Sequence, residues 1–197
     1  MDTFVADTLR AAVPGAAIEA AASPDMPTAY VDHEHLIEVC AALRDHPALQ
    51  FALLAEIAGV DFWPAEPRFE VVYHFACLGE AYKTGTAPTA APARRFRLKV
   101  RVPGADAHVP TLTGLFPVAN WLEREVFDLM GITFEGHPDL RRILLMEDWT
   151  GHPLRKDYPV QIRKDTQSWQ PIQLSPEEFA ENVRASHAQA DRDAGKK

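Results

Sequence analysis

At 197 residues, 47% of them apolar, the chain has material for one packed domain plus an appendage. Its net charge of −8 excludes nucleic acid as a general partner, because neutralising phosphates needs a clustered excess of Lys and Arg. No apolar run approaches the roughly 20 residues of a membrane span, and no basic-then-apolar leader is present, so neither an anchor nor a signal peptide is expected.

Residues 1–12 read as a short helix with Phe4, Val5, Thr8 and Leu9 near one face, broken by Pro14-Gly15. Residues 16–21 form a weak strand, a Ser-Pro-Asp turn follows, and residues 28–31 form another strand. Asp32 stands where an N-cap belongs, ahead of Leu36, Ile37, Val39, Cys40 and Leu43 at helical spacing, and His46-Pro47 ends that helix. The neighbouring His33 and His35 resemble metal ligands, but on a helix they diverge by about 200°, so the capped helix start is the better reading. Cys40 and Cys77 are too few for a zinc or iron–sulfur site and read as small buried apolar residues.

Three strands follow, at residues 51–60, 68–78 and 93–102, the first also compatible with a helix. In the last, Phe96, Leu98, Val100 and Val102 alternate with Arg95, Arg97, Lys99 and Arg101, which gives one buried and one charged face. The Gly/Pro/Ala-rich residues 83–93 between the second and third strands read as a loop. The implied fold class is α+β: a two-layer helix/sheet domain in the order α-β2-α-β3, then helices and an extended, mostly irregular C-terminal tail. Residues 1–131 make up the expected domain and 132–197 the tail, with a helix near 176–190 opened by Ser175-Pro-Glu-Glu.

Residues 117–130 form a helix stopped by Gly131, with Val118, Leu122, Val126, Leu129 and Met130 as its apolar stripe. At about 100° per residue, Glu125 is expected half-buried between Trp121 and that stripe, with Arg124 and Asp128 on the open face. A buried carboxylate needs a cation, and Arg141-Arg142 is the nearest supply. Glu123 and Glu125 diverge and cannot flank a scissile bond. His137 and His152 lie beside prolines and read as hydrogen-bonded structural residues. Residues 137–164 carry six basic and four acidic side chains, with little apolar periodicity. Trp149 and Tyr158 within that stretch and Trp169 just beyond it stand as aromatic pegs, the residue type enriched at binding hot spots.

The run Glu123-Arg-Glu-Val-Phe-Asp128, followed at a distance by His137 and Arg141-Arg142, resembles the signature of the C-subunit family of NADH-quinone oxidoreductase, respiratory complex I. The stretch from Glu147 through Asp148, Trp149, Gly151, His152, Pro153, Arg155, Lys156, Asp157, Tyr158 and Pro159 is similar to the same family's tail. The resemblance implies a non-catalytic subunit of the peripheral arm on the cytoplasmic side, with membrane association only through the complex. It implies no cofactor in this chain, the FMN and iron–sulfur clusters being carried by partner subunits. Its implied role is to brace the large quinone-site subunit and neighbouring cluster-bearing subunits through these residues. The equivalent subunit of a membrane-bound nickel–iron hydrogenase or deazaflavin-dependent dehydrogenase is the near alternative. A stand-alone enzyme using Glu125 or His152 is the distant one.

Overall fold

The computed structural model describes residues 3–79, 93–159, 175, 177 and 179–181. All of the expected loop 83–93 except Ala93 lies outside these, as do Arg163, Lys164 and Trp169. Met1–Pro159 forms one compact unit and Val160–Lys197 a second. In the second, Glu177 and residues 179–181 are helical, and the Phe179 amide donates to the Ser175 carbonyl at 3.0 Å. The rest of the helix expected there lies outside the described residues.

The larger unit has the mixed α+β order implied by the sequence. Helix α1 (Phe4–Ala12) precedes strands β1 (Glu19–Ala21) and β2 (Thr28–Tyr30). Asp32 caps the next helical segment as expected: its carboxylate accepts the His35 amide at 3.2 Å, and a single turn of 3-10 helix (His33–His35) leads into α2 (Leu36–Asp45). Leu36, Val39, Cys40 and Leu43 of α2 face the core. Then come β3 (Leu53–Asp61), β4 (Phe69–Cys77) and β5 (Arg94–Val102). The five strands lie in the order β1-β2-β5-β4-β3, with β2 and β5 parallel and the other pairs antiparallel.

One row of the sheet shows how the core is built. Ala29, Leu98, Tyr73 and Ile57 are successive register partners, and all four are buried. The alternation in β5 places Phe96, Leu98, Val100 and Val102 in that core. Its charged face meets acids of the same chain: Arg97 pairs with Asp25 at 2.5 Å, Lys99 with Glu70 at 3.3 Å, and Arg101 with Glu19 at 3.6 Å.

After β5 the chain forms β6 (His108–Pro110), α3 (Ala119–Met130) and β7 (Thr133–Glu135). β6 and β7 pair in parallel on either side of α3 in sequence. The sequence reading missed this pair because three-residue strands are too short to show alternation. α3 packs close to β3: a Cβ added at Gly59 would lie 3.0 Å from Met130 Cγ and 3.3 Å from Val126 Cγ1. Residues 137–159 contain no helix or strand, in keeping with an irregular segment.

Candidate functional site

The two sides of α3 have different surroundings. Ala119, Glu123, Val126 and Met130 recur at helical spacing and are buried against the core. About 140–160° round the helix, Asp128 is fully buried by the irregular segment that follows the helix. Val118, Trp121 and Glu125, within about 80° of Asp128 but earlier in the helix, are exposed. Two expectations are therefore corrected. Glu125 is exposed and pairs with neither Arg141 nor Arg142; Asp128, placed on the open face by periodicity, is sealed. The buried carboxylate of the Glu123/Glu125 pair is Glu123, because the sheet-facing arc is centred on Val126 rather than between Val126 and Leu122.

Asp128 organises the irregular segment. One carboxylate oxygen accepts the backbone amides of Ile143, Leu144 and Leu145 at 3.0, 2.8 and 2.9 Å; the other takes Arg142 Nη1 at 2.7 Å. Burial pushes the Asp128 carboxyl up, but the Leu145 amide, Arg142 and the other two amides outweigh it and hold it at about 2. Arg124 donates to the carbonyls of Arg141 and Arg142 at 3.1 and 3.2 Å. Arg141 pairs with Asp139 at 2.9 Å.

The same segment closes the C-terminal end of α3. A helix leaves its last four carbonyls without partners inside the helix. Here Gly131 donates to the Phe127 carbonyl at 2.8 Å, and Arg142 and His152 Nδ1 donate to that of Asp128 at 3.2 and 2.9 Å. The Leu154 amide donates to Leu129 at 3.0 Å, and Arg155 Nε donates to Met130 at 2.6 Å. Arg142 and Arg155 thus put positive charge at the negative end of the helix dipole. Burial, with Arg155 and Arg142 close by, lowers the His152 pKa and favours the neutral ring, against the opposing pull of the bond to the Asp128 carbonyl. Gly131 adopts φ +69°, and a Cβ there would lie 2.5 Å from both Arg155 Nη2 and His152 Cδ2. Only glycine meets both demands. Gly151, at φ +82°, is likewise pressed by the Tyr158 ring, whose hydroxyl donates to the Thr150 carbonyl at 3.3 Å.

A second anchor joins the segment to the β3–β4 hairpin. Arg68 makes two bonds to Asp61, at 3.0 and 2.9 Å, and two to Asp157, at 3.0 and 2.5 Å. The Lys156 amide adds a 2.8 Å bond to Asp61. Burial raises the Asp61 carboxyl, but Arg68 and the amides of Lys156 and Trp63 more than offset it and hold it at about 2. The sequence reading missed Asp61 and Arg68. The signal available was a pair of opposite charges bracketing a proline-containing turn between two strands.

The third cluster is inside. Glu123 accepts the Leu112 amide at 2.7 Å and the Thr111 hydroxyl at 2.5 Å. Burial is the larger influence and pushes its pKa up to about 7. His137 Nδ1 accepts the Asp139 amide at 3.0 Å, leaving Nε2–H to donate to the Asn120 carbonyl at 3.2 Å. Glu123 and His137 side chains have no solvent exposure, and this pair joins α3 to its flanking loops. Of the remaining signature residues, Pro153 is half-buried, while Asp148, Lys156 and Pro159 are exposed. Trp149 is half-buried, and its indole N–H is enclosed without a hydrogen-bond partner among the described residues.

The chain matches the family model described as "Respiratory-chain NADH dehydrogenase, 30 Kd subunit" over residues 29–164. Over 135 residues it is 47% identical to the second NADH-quinone oxidoreductase C-subunit of Rhizobium meliloti (strain 1021), covering 68% of this chain and 67% of that one. The solved trypsin-resistant fragment (1–134) of Nqo5 is 36% identical, with a TM-score of 0.51, covering 70% of this chain and 97% of the fragment. A chain of the membrane-bound sulfane sulfur reductase, an archaeal respiratory membrane complex, is 22% identical with a TM-score of 0.60, over 80% of this chain and 85% of that one, and shares the fold. The matched span takes in β2 to β7, α3 and the whole segment that caps it; the chain belongs to the respiratory-chain NADH dehydrogenase 30 Kd subunit family, the C-subunits of NADH-quinone oxidoreductases.

Proposed function

We propose that this chain is a non-catalytic brace in the peripheral arm of NADH-quinone oxidoreductase. It holds the large quinone-site subunit and adjacent cluster-bearing subunits in register, on the cytoplasmic side of the membrane. FMN and iron–sulfur clusters belong to those partners, and this chain meets the membrane only through them. The carrying observation is the outer surface of α3 and the segment tied to it: Trp121, Leu144 and Met146 are 60%, 61% and 66% exposed. Arg142, His152, Arg155 and the amides of residues 143–145 are turned inward onto Asp128 and the helix end, while these large apolar side chains face outward. Large exposed apolar side chains on firmly held backbone are what a protein–protein interface needs. Family membership supplies the partner class. A second reading, the equivalent subunit of a related membrane-bound machine, draws support only from the fold shared with the sulfane sulfur reductase.

Affinity capture of the tagged full chain from a mild-detergent membrane extract tests both readings. The expected set contains flavin- and cluster-bearing subunits together with membrane subunits. A Leu144→Asp/Met146→Asp double variant should reduce that recovery at least tenfold while the isolated chain keeps its melting temperature. Catalytic activity or a tightly bound metal in the purified lone chain would overturn the brace; a hydrogenase subunit in the captured set would favour the second reading.

A further inference from the structure

The open side of α3 is apolar with one carboxylate in its middle. Val118 and Trp121 are exposed, Leu122 and Leu129 are half-exposed, and Glu125 lies between them. Beside it, between α3 and the free edge of β3, runs a groove of about 130 Å³ floored by Ile57, Gly59, Val126, Leu129, Met130 and Leu154. Two carboxylates, Glu125 and Glu56, line this groove, and no cation does. Small-molecule sites run to roughly 300–1,000 Å³, so this space is sized for one long side chain rather than for a cofactor.

Glu125 makes no hydrogen bond or ion pair among the described residues, and its neighbouring cations are already engaged. Arg142 is held by Asp128, Arg155 by the Met130 and Gly131 carbonyls, and Arg124 by the Arg141 and Arg142 carbonyls. A partner that covers Trp121 and Leu154 therefore strips water from a carboxylate to which these three arginines supply no counter-charge. Burying it unpaired costs several kcal/mol, enough to cancel the contact. The partner has to bring the cation.

We propose that this face receives an arginine- or lysine-bearing segment of a neighbouring subunit, its aliphatic stem lying on the groove floor and its cationic head on Glu125. Long basic side chains suit such a place because they cover apolar surface with the stem while the head reaches an acid. The proposal rests on the brace reading and adds to it the chemistry of the partner at one position.

The test uses the full chain in the assembled complex. Glu125→Arg should lower recovery of partner subunits at least tenfold, Glu125→Gln less so, and the control Glu34→Arg, an exposed acid in the 3-10 turn before α2, should leave it unchanged. The isolated variants should melt within about 2 °C of wild type, because the open face contributes little to the fold. A photo-crosslinking residue replacing Leu154 should capture, in the intact complex, a partner peptide with Arg or Lys within a few positions of the link. Wild-type recovery with Glu125→Arg would overturn the proposal, as would a captured peptide without a basic residue. So would a lowered melting temperature of the lone Glu125→Arg chain, which would mean that the cation is the chain's own. If wild type itself recovers no complex subunits, the brace reading fails instead.

Discussion

Asp128 and Glu123 are both fully buried carboxylates on one helix, yet they hold protons oppositely. Asp128 collects three backbone amides and a guanidinium, which stabilise the charged form more than burial penalises it. Glu123 has one amide and one hydroxyl, and burial wins, taking its pKa from 4.5 to about 7. The native state thus holds the Glu123 proton more tightly than the unfolded chain does. Its stabilising contribution is full below about pH 4.5 and is lost as pH rises through about 7. Glu123→Gln removes that loss while keeping an acceptor for Leu112 and a donor for the Thr111 oxygen. The variant should match wild type near pH 4.5 and exceed it by about 2–3 kcal/mol at pH 8 in calorimetric or denaturant unfolding. A constant difference across that range would rule Glu123 out as the titrating group. Asp128 and Asp61 run the other way: their contribution is present above about pH 3.8 and is lost as pH falls through about 2.

At the scale of elements, α3 is completed by residues beyond it. Gly131→Ala tests how tightly that completion is set. The left-handed backbone alone costs about 1–3 kcal/mol for a residue with a Cβ, and the added methyl displaces Arg155 and His152 from the helix carbonyls. A loss at the upper end of that range is expected in equilibrium unfolding, with reduced amide protection in the last turn of α3; a near-neutral variant would show that the caps move freely. The stop at Gly131 was legible in the sequence, as was the two-residue alternation of β5, because both are local patterns. The phase of α3 was not. Val118, Leu122 and Val126 recur as regularly as Ala119, Glu123 and Val126, and the choice between them is made by β3 and by the segment around Asp128. Three of the groups that bury Asp128 are backbone amides of residues 143–145, which no side-chain pattern records.

For the whole molecule, the segment up to Pro159 belongs energetically to the domain as well as to any interface. A chain ending at Gly136 should still show the spectrum of an α+β protein but melt roughly 5–10 °C below one ending at Pro159, since it loses the caps of α3 and the Asp157–Arg68 anchor. Equal melting temperatures would mean that these bonds contribute nothing to the free chain. Truncation at Gly136 therefore tests folding and docking together, whereas side-chain changes at Leu144 and Met146 test docking alone. The succession of the first two helices and five strands along the chain and the family signature were both readable from one sequence. The Asp61–Arg68–Asp157 link was not, because it joins positions 89 residues apart whose only shared property is charge.

The placement of Arg155 has a consequence for synthesis. Met130, the last residue of α3, leaves the ribosome 25 residues ahead of the side chain that closes its carbonyl. At roughly 5–20 residues per second, the helix waits about 1–5 s with its end open and the Asp128 carboxylate in water. A nascent chain halted in that window displays a frayed helix end to chaperones and proteases, and one that has passed it does not. The helix end thereby stays open until translation has passed Arg155.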